Sequence, residues 1–255
     1  MFSQRRVAVV VPAYNEADKI ERTLASIPRF VDHVIVVDDA SGDETSLRAG
    51  GVADPRVEVI RHAGNRGVGA ALVTGYERAR ALGADVTAVM AGDSQMDPRD
   101  LPHLVQAVVA GIDYAKGNRF AAPGVYREMP LSRLCGNLVL SHLTRVCSGL
   151  WHVFDSQCGY TAASRQALDV ILGEPTFPRY GYPNDVLVRL ALAGVRVADV
   201  PVRPVYGPTW RSGIRPHKVA WPILRLLGRG LGRRLLRRLS GRTAPARAST
   251  LSPEL

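Results

Sequence analysis

Four short apolar runs, each ending in polar residues, most constrain what this chain can fold into. They are "VAVVVPAYNE" from Val7, "HVIVVDDAS" from His33, "VEVIRH" from Val57 and "DVTAVMAGD" from Asp85. Apolar runs bounded by turn signals read as buried strands. Between them lie stretches of helical character, such as "ADKIERTLASI" with Ile20, Leu24 and Ile27 in register, and "GNRGVGAALVTGYERARALG", a loop feeding a helix. Strands alternating with helices predict an α/β fold with a largely parallel sheet covered on both faces. In such sheets ligands bind beyond the carboxyl ends of the strands. Those ends carry Tyr14-Asn15-Glu16, Asp38-Asp39, Arg61-His62 and Asp93, so a site is expected along that edge.

The second half is less regular. "YAKGNRF" reads as a strand into a loop, and "LSRLCGNLVLSHLTRVCSGLWHVF" as a long, mostly apolar helix. "GYPNDVLVRLALAGVRVADVPV" reads as loop, helix and strand. The expected organisation is one domain over 1–215, a basic amphipathic extension over 216–242 and a disordered tail over 243–255. No apolar run reaches the ~18 residues that a transmembrane helix needs. The opening segment is too soon strand-like for a signal peptide. Cys135, Cys147 and Cys158 lack C-x-x-C spacing, which points to reduced thiols rather than zinc or disulfides.

Charge is divided unevenly. The chain holds 33 Lys and Arg and 23 Asp and Glu, of which twelve and one lie from Val200 onward, leaving 21 and 22 in the first 199 residues. A neutral body with a strongly basic end predicts a polyanionic partner surface, anionic lipid before nucleic acid. Along the tail, Leu224, Leu227, Leu231, Leu235 and Leu239 fall within one helical arc, with Arg225, Arg229, Arg233 and Arg237 opposite. Such a helix suits a lipid interface. Gly228, Gly230 and Gly232 weaken it by about 1 kcal/mol each relative to Ala, so it is expected to form on the membrane. Nucleic acid is a poorer match, since few aromatics interleave with the arginines.

Seven motifs in order carry a family resemblance: "VPAYNEADKI", "VIVVDDASGDET", "NRGVGAALVTGYERA", "GDSQMDP", "KGNRF", "FDSQCGY" and "GYPND". Together they resemble family 2 glycosyltransferases of the GT-A fold, and among these the dolichol-phosphate-mannose-synthase-like and bacterial polyprenyl-phosphate enzymes. The resemblance implies transfer of a hexose from a nucleotide diphosphate sugar to a polyprenyl phosphate, with inversion, by a cytoplasmic enzyme peripheral at the inner membrane face. It places Pro12, Tyr14, Glu16, Asp38 and Asp39 at the nucleoside. A divalent cation, Mg²⁺ or Mn²⁺, would neutralise the leaving diphosphate, and such hard cations take oxygen ligands. The family's Asp-x-Asp-x-Gln falls here on Ala91, Asp93 and Gln95, so the first acid is missing. Asp93 and Gln95 remain as metal ligands, with Asp93 also catalytic. Arg119, Arg133 and Asp155 would serve the acceptor phosphate, arginine offering a fixed fork of donors. Asp185 is the expected base for a hydroxyl acceptor, an orienting group for a phosphate, and by position also a helix N-cap. Arg203, Arg211 and Ser212 would close over the diphosphate.

Three other readings stay open at this level. One is a soluble glycosyltransferase with a hydroxyl acceptor, and another a protein that binds nucleotide sugars without turnover. A nucleotidyltransferase would want a Gly-rich basic loop after the first strand, which "VPAYNE" lacks. The glycines of "GNRGVGAA" do not match the G-x-G-x-x-G dinucleotide fingerprint.

Overall fold

Seven strands form one sheet in the order β3-β2-β1-β4-β6-β5-β7. They are β1 (Val7–Ala13), β2 (His33–Asp38), β3 (Val57–Arg61), β4 (Val86–Val89), β5 (Tyr114–Asn118), β6 (Thr161–Ser164) and β7 (Val197–Pro201). The structure is a computed structural model and describes residues 1–122, 125, 129, 131–205 and 216–240, with only the backbone of 132, 133, 216–220 and 238. β1, β2, β3 and β4 pair in parallel, β6 runs antiparallel to both β4 and β5, and β7 is parallel to β5. Six carboxyl ends therefore open on one edge, and the segment entering β6 arrives at the same edge.

The expected parallel sheet is present, and burial of both faces explains its apolar runs. Val7, Val9 and Val11 of β1 pack on one face with Ile20 and Leu24 of α1 (Ile20–Ser26) and Leu101 and Leu104 of α4 (Leu101–Val109). Ala8 and Val10 pack on the other with Leu72 and Tyr76 of α3 (Val68–Ala81). α2 (Thr45–Gly50) follows β2, and Gly75 lets α3 approach closely, since a Cβ there would lie 2.2 Å from Val10 Cγ1.

The remaining helices are α5 (Leu131–Ser148), α6 (Arg165–Leu172), α7 (Tyr182–Ala193) and α8 (Pro216–Leu239). α8 corrects the expectation of a helix that needs a membrane to form. Ile223 and Leu227 are buried against Cys147 of α5 and Val188 of α7. Gly230 is a packing position, because a Cβ there would meet Val188 Cγ1 at 2.6 Å. Arg234 donates to the Val146 carbonyl at 2.7 Å and Arg237 to that of Leu192. These arginines satisfy carbonyls in the last turns of α5 and α7, where cations also oppose the helix dipole. Arg233 pairs with Glu174 at 3.2 Å. Of the predicted leucine arc only Leu227 is fully buried, while Leu224, Leu235 and Leu239 face outward with Trp221 and Leu236. Residues 243–255 lie outside the described residues, and among those described no helix is long and apolar enough to cross a membrane.

Candidate active site

A cleft of ≈ 1290 Å³ opens at the carboxyl edge of β1, β2 and β4. Pro12, Tyr14 and Glu16 line it from the end of β1, Asp39 from β2, and Ala91, Asp93 and Gln95 from β4. The β1 loop is stitched to the segment after β2. Asn15 N–H donates to Ser41 Oγ at 2.9 Å, Glu16 N–H to Thr45 Oγ1 at 2.8 Å, and Gly42 N–H to Asn15 Oδ1 at 2.8 Å. Asn15 sits at φ 57°, a left-handed conformation that Asn tolerates. Tyr14 stands half-exposed at the rim, 50 % accessible.

The two acids ending β2 part company. Asp39 lines the cleft, whereas Asp38 is fully buried beneath it. Asp38 accepts from the amide and hydroxyl of Ser41 and faces Arg61 at 3.5 Å, so it shapes the loop rather than the cleft wall. Asp39 accepts from the amides of Arg66 (2.8 Å) and Gly67 (2.7 Å) and contacts His62 Nδ1 at 2.8 Å. Burial opposes its charge, but these donors outweigh it and hold the carboxyl below its usual range. His62 is fixed in turn by Thr74 Oγ1 at 3.0 Å. The sequence places His62 at this edge by its position at the end of β3, and the structure adds its contact with Asp39.

The Ala91–Met96 loop presents the candidate cation ligands. Asp93 Oδ1 accepts from Gln95 N–H at 3.1 Å, and Ser94 adopts φ 58°. Thr23 of α1 holds the loop by bonds to Gly92 O (3.1 Å) and Ser94 Oγ (2.7 Å). Val205 N–H donates to Gln95 O at 3.1 Å from the far side. Glu16 faces this corner. Burial first, then repulsion from Asp93 and Asp43, raises its carboxyl above the usual range despite its 2.9 Å pair with Lys19. Two carboxylates that repel across the cleft, with Gln95 on the same loop as Asp93, are oxygen donors of the type that a hard divalent cation takes. Among the described residues no group of three or more His, Cys, Asp or Glu is placed to hold a metal. Lys19, Arg22, Arg99 and Arg179 also line the cleft, cations that the motifs did not single out.

Other predicted residues lie apart from this cleft. Arg119 and Asp155 grip each other in a buried fork of 2.7 and 2.9 Å. Burial works against Asp155, yet Arg119 keeps its carboxyl below the usual range. Asp185 is neither the N-cap of α7, a place taken by Gly181, nor a group on the cleft wall. It accepts from Phe177 N–H at 2.9 Å and pairs with Arg189 at 2.6 Å. It thus anchors the segment whose Arg179 and Tyr180 reach the cleft. Arg203 pairs with Asp100 at 2.6 Å and braces the chain after β7. Arg211, Ser212 and the side chain of Arg133 lie outside the described residues.

Gly67 and Gly69, which open α3, face the same Phe177–Arg179 segment. Cβ atoms there would lie 2.5 Å from Pro178 O and 2.3 Å from Phe177 O respectively. Gly69 N–H donates to Pro178 O at 2.8 Å. Close backbone approach is what Gly67 and Gly69 of "GNRGVGAA" serve.

The family model described as Glycosyl transferase family 2 matches residues 8–172, which include the Arg119–Asp155 pair and all of the cleft lining except Arg179, Tyr180 and Val205. The chain is a family 2 glycosyltransferase. It is 29 % identical over 221 residues to a UDP-N-acetylglucosamine–dolichyl-phosphate N-acetylglucosaminyltransferase of Methanococcus voltae, covering 80 % of this chain and 88 % of that one. It is 33 % identical over 204 residues to an undecaprenyl-phosphate mannosyltransferase of Micrococcus luteus, covering 77 % and 82 %. The glycosyltransferase also superposes on glucosyl-3-phosphoglycerate synthase of Mycobacterium tuberculosis, solved with Mn²⁺ and UDP. That match has TM-score 0.67 and 23 % identity, and covers 90 % of this chain and 81 % of the other. These neighbours establish a GT-A-like fold for the enzyme.

Proposed function

We propose that this glycosyltransferase moves a hexose from a nucleoside diphosphate sugar to a polyprenyl phosphate, with inversion at the anomeric carbon. One observation carries the reading. A single cleft gathers Tyr14 and Glu16, Asp39, and Asp93 and Gln95 from the carboxyl ends of three adjacent parallel strands. The acceptor class is supported by relatives named for dolichyl phosphate and undecaprenyl phosphate.

In this reading Pro12 and Tyr14 pack against the base, and Asp39, held ionised, accepts from the ribose. Asp93 and Gln95 would hold Mg²⁺ or Mn²⁺, which when bound supplies Lewis-acid neutralisation of the diphosphate. Lys19 and Arg22 add positive charge at the same wall. An acceptor phosphate oxygen forms the new bond to the anomeric carbon as the bond to the diphosphate breaks, and the nucleoside diphosphate leaves with the electron pair. A phosphate is already ionised, so no base need take a proton. The commitment of Asp185 to Arg189 and Phe177 favours this acceptor over a hydroxyl. Asp185 is then a positioning residue for the Arg179–Tyr180 segment, and Asp155 a positioning residue for Arg119.

The outward side of α8 is assigned to the cytoplasmic membrane face. Trp221, Leu224, Leu235 and Leu239 would enter the interface, flanked by exposed Arg225 and Arg229. The 1–215 body and the 216–242 extension act as one unit in this arrangement.

The test is a screen of UDP- and GDP-sugars with a short prenyl phosphate, with and without Mn²⁺ or Mg²⁺, for wild type and Asp93→Ala. Metal-dependent prenyl-linked sugar that disappears in the variant is expected. Donor binding with transfer only to hydroxyl acceptors would replace the acceptor, and failure to bind any donor would overturn the reading.

A further inference from the structure

The chain leaving β7 crosses the loop that carries Asp93 and Gln95. Pro204 forms an isolated antiparallel bridge with Met96, and Val205 N–H donates to Gln95 O at 3.1 Å. Val205 lines the cleft beside that loop. Pro204 has no N–H to give, so the bond from Val205 carries this crossing. A bridge this short holds little by itself.

Arg203 supplies the anchor. Its N–H donates to Asp100 Oδ2 at 2.6 Å, its Nη2 to Asp100 Oδ1 at 2.6 Å and its Nε to the same oxygen at 3.1 Å. Backbone and side chain thus grip both oxygens of one carboxylate, which fixes the direction in which residues 204 and 205 leave. Asp100 is buried at the end of the Pro98–Asp100 turn. That turn is itself fixed, because Asp97 Oδ1 accepts from Arg99 N–H at 2.9 Å and the Asp97 carbonyl from the Tyr160 hydroxyl at 3.0 Å. The Arg203 guanidinium is turned to this turn, and Arg203 is not among the residues that line the cleft. It does not close over a diphosphate there.

The loop between these contacts is tied at each point. Thr23 holds Gly92 and Ser94 from α1, and Met96 Sδ accepts from Ala91 N–H at 3.3 Å. Gln95 N–H donates to Asp93 Oδ1 at 3.1 Å, so a displacement of Gln95 is felt at Asp93. With alanine at position 91 the corner has one oxygen donor fewer than the family pattern, and its affinity for a cation depends more on how firmly the remaining donors are held.

We propose that Arg203 is a positioning residue for the cation corner. Its fork with Asp100 sets residues 204 and 205 against the loop and so holds Asp93 and Gln95 in place for the metal. The proposal rests on the cation reading given above and adds which group outside the cleft governs it.

The test measures metal binding rather than turnover. Full-length protein is titrated with Mn²⁺ in the presence of UDP or GDP, whichever the wild type binds, and free Mn²⁺ is read from its electron paramagnetic resonance signal. Arg203→Met is expected to weaken Mn²⁺ binding by about tenfold, the usual order for losing a group that orients a metal ligand. Arg203→Lys keeps the charge without the fork and should lose less. Asp100→Asn should lose about as much as Arg203→Met, and the double variant no more than either, since the two act as one unit. Nucleotide affinity in EDTA should stay at the wild-type value in all of them, with melting temperatures confirming that they fold. Should Arg203→Met not fold, Arg203→Lys and Asp100→Asn carry the comparison. Wild-type Mn²⁺ binding in the folded Arg203 variants, with none in Asp93→Ala, would overturn the positioning role and leave the cation reading standing, whatever the melting temperatures. Weakened nucleotide binding in EDTA would make Arg203 a diphosphate ligand and overturn the positioning role as well. A wild type that binds no Mn²⁺ with either nucleotide would remove the cation corner and the role of Arg203 with it.

Discussion

Ala91 occupies the place of an acid in the proposed metal corner, and the residues around it show what that leaves. Asp93 retains the carboxylate, Gln95 the amide, and Glu16 faces them with a carboxyl whose pKa is raised by burial and by Asp93. Ala91→Asp adds a third carboxylate, and Mn²⁺ binding in the presence of UDP should tighten by about tenfold on titration. No change would place Ala91 away from the cation. Asp199 of β7 gives a pH-dependent prediction. Its Oδ1 is buried without a hydrogen-bond partner, its Oδ2 accepts from Phe154 N–H at 2.7 Å, and burial pushes its pKa up to about 7. Lys116 and Arg145 pull the other way and Asp155 adds to the rise. The folded state thus holds a proton that the unfolded chain has released near pH 4, so stability falls as pH rises from about 4 to 7 and then levels. Asp199→Asn keeps the acceptor and removes the charge. It should gain up to about 3 kcal/mol over wild type at pH 8 and little at pH 4 in urea melts. A gain independent of pH would show that Asp199 is not the titrating group.

Among elements, the junction of α3 with the segment before α7 most directly ties fold to site. Gly67 and Gly69 admit the Phe177–Pro178 backbone, while Asp185 and Arg189 hold that segment from the other side. Gly69→Ala puts a methyl 2.3 Å from Phe177 O and must push the segment outward. The cost should be about 1–3 kcal/mol in denaturant midpoints, and nucleotide-sugar affinity should fall because Arg179 and Tyr180 move with it. Loss of stability with donor affinity intact would separate the segment from the cleft. The Arg119–Asp155 fork is a second junction, joining the turn after β5 to the chain entering β6. Asp155→Asn strands a buried guanidinium and should cost about 3–5 kcal/mol, whereas replacing both partners by apolar residues of similar size should cost less. A double-mutant cycle reads the difference, and losses that simply add would mean that the pair is not coupled.

In the whole molecule, α8 packs one face on the body and leaves another exposed. Ile223→Ala or Leu227→Ala should cost about 2–5 kcal/mol by opening the contact with Val188 and Cys147. Leu235→Ser with Leu239→Ser should leave stability within about 0.5 kcal/mol, since both are exposed, yet lower cosedimentation with anionic vesicles. The opposite pattern would make the outward face a structural one. The apolar runs, the helical spacing between them and the acids at their ends made the sheet and its reactive edge legible in the sequence. These are local signals, since a run buried on both faces and a polar residue at its end show in consecutive positions. Sequence alone also determined the absence of an acid at position 91 and the concentration of basic residues after Val200. Only the tertiary structure decided which acid faced the cleft. Asp38 and Asp39 are adjacent, but Asp38 is the last residue of β2 and Asp39 the first beyond it, and one bonds Ser41 while the other meets His62 at the cleft. It likewise turned Arg119 toward Asp155, Asp185 toward Arg189, and one face of α8 onto its own domain. Each depends on a partner elsewhere in the fold, and no local pattern in a chain specifies which charge its neighbour in space will carry.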